Sequence, residues 1–185
     1  MRLRPLRADA ADVRAVMDAF TADPAEMFRQ GEVTDEDSAR AYVERLLRPM
    51  MRTAVIADPR DRLLGLVGVS IDAGNRLGWF FYWLHPAHRG AGLMSRAARE
   101  VADRALAPEP EGWGLERLEL GHRANNPASG AVARAAGFVQ EGREREKFLV
   151  EGERIDVLTY GRLRSDPAPD AELLDPALAV ERLDV

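Results

Sequence analysis

The stretch WLHPAHRGAGLMSRAARE, Trp83–Glu100, decides how this chain is read. An apolar segment ends at Pro86, a short basic turn with two glycines follows, and from Leu93 the pattern is helical. Leu93, Ala97, Val101 and Ala105 form one row, and Met94, Ala98, Ala102 and Leu106 the next, so this helix carries a core-facing stripe. A Gly-x-Gly at the mouth of such a helix leaves backbone N–H groups uncovered where the helix dipole favours an anion. Arg89 adds a positive charge beside Gly90 and Gly92. The turn suits a pyrophosphate. The alternative is a plain strand-to-helix corner, with the glycines supplying φ > 0.

Residue identity excludes two nucleotide readings. A P-loop ends in Gly-Lys-Ser/Thr, and Lys147, the only lysine, follows Glu146. A dinucleotide fingerprint needs a third glycine three residues after the second. That position is Ser95.

Outward from the turn, LGWFFYWL (77–84) reads as a strand, preceded by the strands LLGLVGVSI and RTAVIAD, with turns PRD and DAGN between them. Asp9 is placed to cap a helix running to about Phe20, and a second helix is expected from Asp35 to Leu47. Downstream come a short strand LERLEL, a helix NPASGAVARAA, a long strand FVQEGREREKFLV, a turn EGE and a last strand RIDVLTYGRL. With LRPLR as a first short strand, the order is β-α-α-β-β-β-α-β-α-β-β. One domain is expected over 1–164. Residues 165–185 read as an Asp/Pro/Ala-rich tail with a weak helical pattern late.

Bulk properties narrow the class. A chain of 185 residues suits one domain or one domain with a tail. Its net charge of −5 argues against nucleic acid as the main partner. The absence of cysteine excludes a thiolate metal site and a cysteine nucleophile, and fits a reducing, cytoplasmic setting. The N-terminus has no apolar core of signal-peptide length, and no run approaches the ~20 apolar residues of a membrane span.

Trp83–Leu106 resembles the acetyl-CoA-binding motif of the GNAT superfamily of N-acetyltransferases. There, a strand ends in an Arg/Gln-x-x-Gly-x-Gly/Ala turn that opens a helix. Arg89, Gly92 and Met94 stand at the three motif positions. NNPASGAVARAAGFVQEG, Asn125–Gly142, is similar to the family's next motif, an Asn-x-x-Ser helix ending in Gly-Phe. The pair resembles the branch of ribosomal-protein N-terminal acetyltransferases. The resemblance implies an α/β (α+β) fold: a mixed, mostly antiparallel twisted sheet of about seven strands, flanked by about four helices and splayed in the middle. It implies acetyl-CoA as co-substrate, no metal, and direct attack of an amine on the thioester. The strand edge at Leu84 and His85 would pair with the pantetheine amides. The backbone of Arg89, Gly90, Ala91, Gly92 and Leu93 would hold the pyrophosphate, and Asn126 and Ser129 would border the cofactor.

Amine acetylation needs a neutral amine, a polarised thioester and a protonated leaving thiolate. Many family members carry a tyrosine acid on the second-motif helix; here the position is Ala133. Ser129, in that helix's first turn, is the remaining hydroxyl and the candidate to hydrogen-bond the CoA sulfur or thiolate. Asn126 followed by Pro127 also reads as a helix cap. Glu119 and His122 are the candidate bases, the histidine acting through a water. His85 and His88 flank Pro86 as positioning or solvated residues. Glu26, Glu32, Asp35 and Asp37 would draw a cationic amine, or form only a solvated acidic loop. The aromatic run Trp79–Trp83 is expected mostly to pack. The function expected is acetyl transfer to a primary amine of a protein N-terminus or small molecule, by a monomer or homodimer with no nucleic-acid or membrane partner. The alternatives are a silent acyl-CoA-binding module on the same fold, and an interaction domain whose turn is only a corner.

Overall fold

In the computed structural model, which describes residues 1–169, the elements follow the expected order with one addition. They are β1 (Arg2–Pro5), α1 (Ala10–Ala22), α2 (Pro24–Met27), α3 (Glu36–Leu46), β2 (Met51–Ala57), β3 (Leu63–Asp72), β4 (Leu77–Leu84), α4 (Leu93–Leu106), β5 (Arg117–Arg123), α5 (Pro127–Ala135), β6 (Val139–Val150) and β7 (Glu153–Leu163). The addition is α2, a single turn started by Pro24 and capped by Asp23, whose side chain accepts from the Glu26 N–H. Single 3-10 turns cover Phe28–Gln30 and Pro86–His88. The weak helical pattern late in the tail, residues 171–183, lies outside the described residues.

Local signals set the helix starts. Asp9 caps α1 by accepting from the N–H groups of Ala11 and Asp12 at 3.0 and 2.9 Å. Asp35 and Ser38 close a reciprocal capping box on α3. The apolar stripe of α4 is buried from Met94 through Leu106 as its spacing requires.

Seven strands form one sheet in the order β1-β2-β3-β4-β5-β7-β6. Every neighbouring pair is antiparallel except β4 and β5. That parallel pair is short, running only from Leu77↔Arg117 through Gly78↔Leu118 to Trp79↔Glu119. Beyond it the two strands part, β4 continuing to Leu84 and β5 to Arg123. Gly78 marks the closed end: a Cβ there would lie 2.5 Å from Val69 and 2.9 Å from Leu118, so only glycine lets the layers meet so tightly.

The sheet separates two cores. On one face α4 and α5 cover Phe80, Leu118 and Leu120. On the other, α1 and α3 cover Val55, Leu66 and Trp83. Alternation along β4 therefore sends Phe80 and Tyr82 to the α4/α5 face, and Trp79, Phe81 and Trp83 to the other.

Candidate active site

The parted strands expose backbone to one another. The His85 N–H donates to the Leu64 carbonyl at 2.8 Å, which assigns the odd residues of β4 to β3. The even residues Tyr82 and Leu84 then turn their N–H and C=O groups toward the gap. Two of these carbonyls already have partners: Tyr82 O accepts from Gln30 Nε2 at 3.4 Å and Leu84 O from Arg89 Nε at 3.1 Å. Of the two positions expected at this edge, Leu84 faces the gap, whereas the His85 N–H is spent on β3.

The glycine turn lies at one mouth of the gap. His85 Nδ1 accepts from the Ala87 N–H at 3.1 Å and holds the Pro86–His88 turn. Burial, then the neighbouring His88, pushes the His85 imidazole below its ordinary range, which favours the neutral ring that this bond requires. Gly90 and Gly92 have φ of +86° and +68°, and a Cβ on either would meet no atom within 4 Å. Gly92 is the N-cap of α4 and supplies no capping side chain. The first-turn N–H groups of α4, beginning at Leu93, thus lack a side-chain cap beside open space. Arg89 does not lean over this space. It ties the turn to β4 through Leu84 O and to the α1–α2 junction through Asp23, at 2.8 Å.

Across the gap, the Asn126 side chain accepts from the Ser129 N–H at 3.1 Å, with Pro127 at the first helical position. The capping reading of Asn126 is therefore the geometry present. Ser129 meets Tyr82 of β4: the tyrosine hydroxyl lies 2.9 Å from both Ser129 O and Ser129 Oγ. This hydroxyl pair joins α5 to β4 across the split. The sequence reading left Tyr82 within an aromatic run. Its signal was alternation, which puts it on the α5 side, together with a serine in the first turn of α5.

His122 and Glu119 take opposite positions. His122 lines the cavity but is enclosed: its ring stacks on Tyr160 at 5.2 Å and its Nδ1 lies 2.8 Å from Arg123 O. Its Nε2 has no hydrogen-bond partner among the described residues and faces Gly130, where a Cβ would be only 3.0 Å away. Glu119 is not brought to the site. It points to the other sheet face and pairs with Arg117 at 2.8 Å, and Arg117 also holds Glu141. Among the expected acids, only Glu26 borders the cavity, where it pairs with Arg29; Asp35 is spent capping α3.

The gap and its two mouths form one cavity of about 800 Å³, a size that suits an extended small molecule. The α4/α5 mouth is lined by Gly90, Gly92, Ser95, Asn126 and Ser129. The opposite mouth is lined by Phe28, Arg29, Trp79, Phe81, Arg123 and Leu149.

Burial pushes Tyr42 up to about 12, with Trp83 Nε1 donating to its oxygen at 3.0 Å. Tyr82 is also pushed up to about 12 by burial. The folded protein therefore holds the protonated tyrosines more firmly than the unfolded chain, where tyrosine titrates near ~10. Their contribution to stability is full below about pH 10 and is lost as pH rises toward about 12. Tyr82 borders the cavity and should show less of this than Tyr42. Denaturant midpoints should fall across this alkaline window, and Tyr42→Phe should flatten the fall. A midpoint independent of pH there would contradict the burial of Tyr42.

A split mixed sheet with an open glycine turn at one mouth defines an acyltransferase class of fold. The family pattern described as Acetyltransferase (GNAT) domain matches residues 1–139, and the chain belongs to the GNAT family. The ribosomal-protein-serine acetyltransferase of Escherichia coli (strain K12) is 28% identical over 104 residues, 56% of each chain. This chain therefore spans little more than half the length of that curated relative. The crystal structure of spermidine N-acetyltransferase from Vibrio cholerae in complex with CoA and spermine superposes with a TM-score of 0.74 at 23% identity, covering 89% of this chain and 95% of the other. At that identity the likeness speaks for the fold. Relatives thus come from both the ribosomal and the polyamine branches, so the family is established without singling out the ribosomal branch.

A dodecameric structure of the V. cholerae spermidine enzyme shares the fold at a TM-score of 0.71 and 23% identity, covering 88% of this chain and 93% of the other. The expectation of a monomer or homodimer is corrected accordingly. The physical reason is that assembly depends on surface complementarity and symmetry, which residue patterns do not display. Among the described residues no helix is long and apolar enough to cross a membrane.

Proposed function

We propose that this protein transfers an acetyl group from acetyl-CoA to a primary amine, that of a protein N-terminus or of a small molecule. The observation that carries the proposal is the split between β4 and β5, with the uncapped start of α4 at one mouth and the Tyr82–Ser129 pair across it. The residues fit the co-substrate. Open space at Gly90 and Gly92 beside first-turn N–H groups suits a pyrophosphate, and the inward Tyr82 and Leu84 N–H groups suit an extended chain of amides.

Acetyl-CoA supplies an acyl carbon activated as a thioester. The new C–N bond forms at that carbon as the C–S bond breaks, and the proton that the amine gives up ends on the sulfur. Ser129 Oγ–H is the hydrogen-bond donor we assign to that sulfur as its charge develops. Tyr82 has one hydroxyl proton and two acceptors on Ser129. When it donates to Oγ, the serine proton is free to point into the gap. Tyr82 is thus a positioning residue acting through Ser129. Of the two expected bases, His122 is the one that borders the cavity, and it would act through a water. The backbone of Arg89–Leu93 and the Asn126 cap complete the cofactor side. The ribosomal-protein branch, a cytoplasmic setting and a domain boundary near 164/165 remain parts of this proposal.

Melting temperature with acetyl-CoA, CoA and ATP tests the binding half. A ligand at ~100 times its dissociation constant adds ~2.7 kcal/mol, which corresponds to several degrees for a chain of this size. We expect a rise with acetyl-CoA and CoA but not with ATP, followed by turnover in an amine screen. A rise without any turnover would leave a CoA-binding module; no rise would leave the glycines as a corner.

A further inference from the structure

We propose that the acceptor amine carries a carboxylate, and that Arg123 is the residue that selects it. The inference rests on the acetyl-transfer reading and names the acceptor class for that same site.

Arg123 is the last residue of β5. Leu118, Leu120 and His122 face α4 and α5, so alternation turns Arg123 to the opposite mouth, where an acceptor would approach. Its guanidinium carbon lies 5.5 Å from the centre of the Phe28 ring. The residue is only 7% exposed, and its Nε has no hydrogen-bond partner among the described residues. No carboxylate among them lies within ion-pairing distance of it; Glu151, exposed on the β6–β7 turn, acts only at longer range.

The other cations bordering the cavity are compensated. Arg29 pairs with Glu26, and Arg89 pairs with Asp23. Arg123 is left as a buried cation in a wall that also holds Phe28, Trp79, Phe81 and Leu149. An uncompensated buried charge is costly, and an apolar surrounding strengthens whatever anion reaches it. A carboxylate matches the edge of the planar guanidinium fork with two parallel bonds, while the Phe28 ring stays within cation–π reach of the same group. A polyamine would instead bring a second ammonium against this arginine. The acceptor is therefore an amino acid, or a peptide whose N-terminus has an acidic side chain close by.

The test compares acceptors that differ only in that charge. Initial rates with acetyl-CoA are measured on free amino acids against their amides, on the C-terminally amidated peptides Ser-Glu-NH2 against Ser-Gln-NH2, and on spermidine. The carboxylate acceptors should exceed their neutral counterparts at least tenfold in kcat/KM, mainly through KM. The two arms tell a free amino acid from a peptide. Arg123→Gln should bring the carboxylate acceptors down to the level of the neutral ones while acetyl-CoA affinity holds. Arg123→Lys, which keeps the charge and the fold but loses the fork, should recover part of the preference.

Equal rates on each matched pair, a preference for spermidine, or an Arg123→Gln defect in acetyl-CoA affinity would overturn the proposal. A second readout separates it from the reading beneath it. The CoA-saturated protein is titrated with the C-terminally amidated peptides N-acetyl-Ser-Glu-NH2 and N-acetyl-Ser-Gln-NH2. Arg123-dependent binding of the first without turnover of any amine would keep the carboxylate site and remove the transferase. Turnover without a carboxylate preference would do the reverse.

Discussion

A Gly92→Asp protein should stay folded and lose acetyl-CoA binding. Gly92 caps α4 at φ +68°, and nothing lies within 4 Å of where its Cβ would be. The left-handed backbone costs a side-chain-bearing residue roughly 1–2 kcal/mol. Aspartate tolerates this conformation better than most residues and favours a helix N-terminus, which offsets part of the cost. The melting temperature without ligand should therefore change little. The same carboxylate stands where we place the pyrophosphate, so repulsion and competition for the N–H groups act together. We expect affinity to fall about 100-fold or more, equivalent to about 2.8 kcal/mol. Gly92→Ala, at least as strained but uncharged, should lose far less. A thermal-shift titration reads all three proteins. Intact folding with unchanged affinity would remove the turn from the cofactor site.

Ser129→Ala is expected to lower kcat by about 100-fold, the lower end of what one positioned hydrogen-bond donor to developing charge supplies. Acetyl-CoA affinity should change little, because the Asn126 bond goes to the Ser129 backbone N–H, which alanine retains. Tyr82→Phe keeps the ring and removes the hydroxyl that lies 2.9 Å from Ser129 Oγ. Its loss should be nearer tenfold, about what one hydrogen bond contributes. If Tyr82 works only through Ser129, the double variant should be no slower than Ser129→Ala alone. Additive losses would give Tyr82 a role of its own, and an unchanged Ser129→Ala rate would take Ser129 out of the chemistry.

The turn from Arg89 to Leu93, the α4 stripe, and the Asp9 and Asn126 caps were all readable because each depends on residues within a few positions of one another. One-turn α2 carries too few residues for a period to show, though Pro24 after Asp23 was its available signal. The assembly expectation failed for a different reason: surface complementarity leaves no periodic trace.

Site residues divided the same way. Ser129 was singled out because it stands in the first turn of a recognisable helix. Glu119 looked equally available in its strand, yet Arg117 two residues away claims it. Tyr82 and Arg123 passed unremarked among neighbours of their own kind, one in an aromatic run and the other in a chain rich in arginine.

Sequence alone determined which segments are helix and strand, one-turn α2 apart, where the longer helices start, and that a glycine turn precedes α4, since these follow from local period, caps and backbone freedom. Only the tertiary structure decided that β4 and β5 part after Trp79 and Glu119, that Tyr82 meets Ser129 across the gap, and that Arg123 has no counter-ion among the described residues. Those facts depend on which distant side chains come face to face, and that is settled by packing both cores around one sheet.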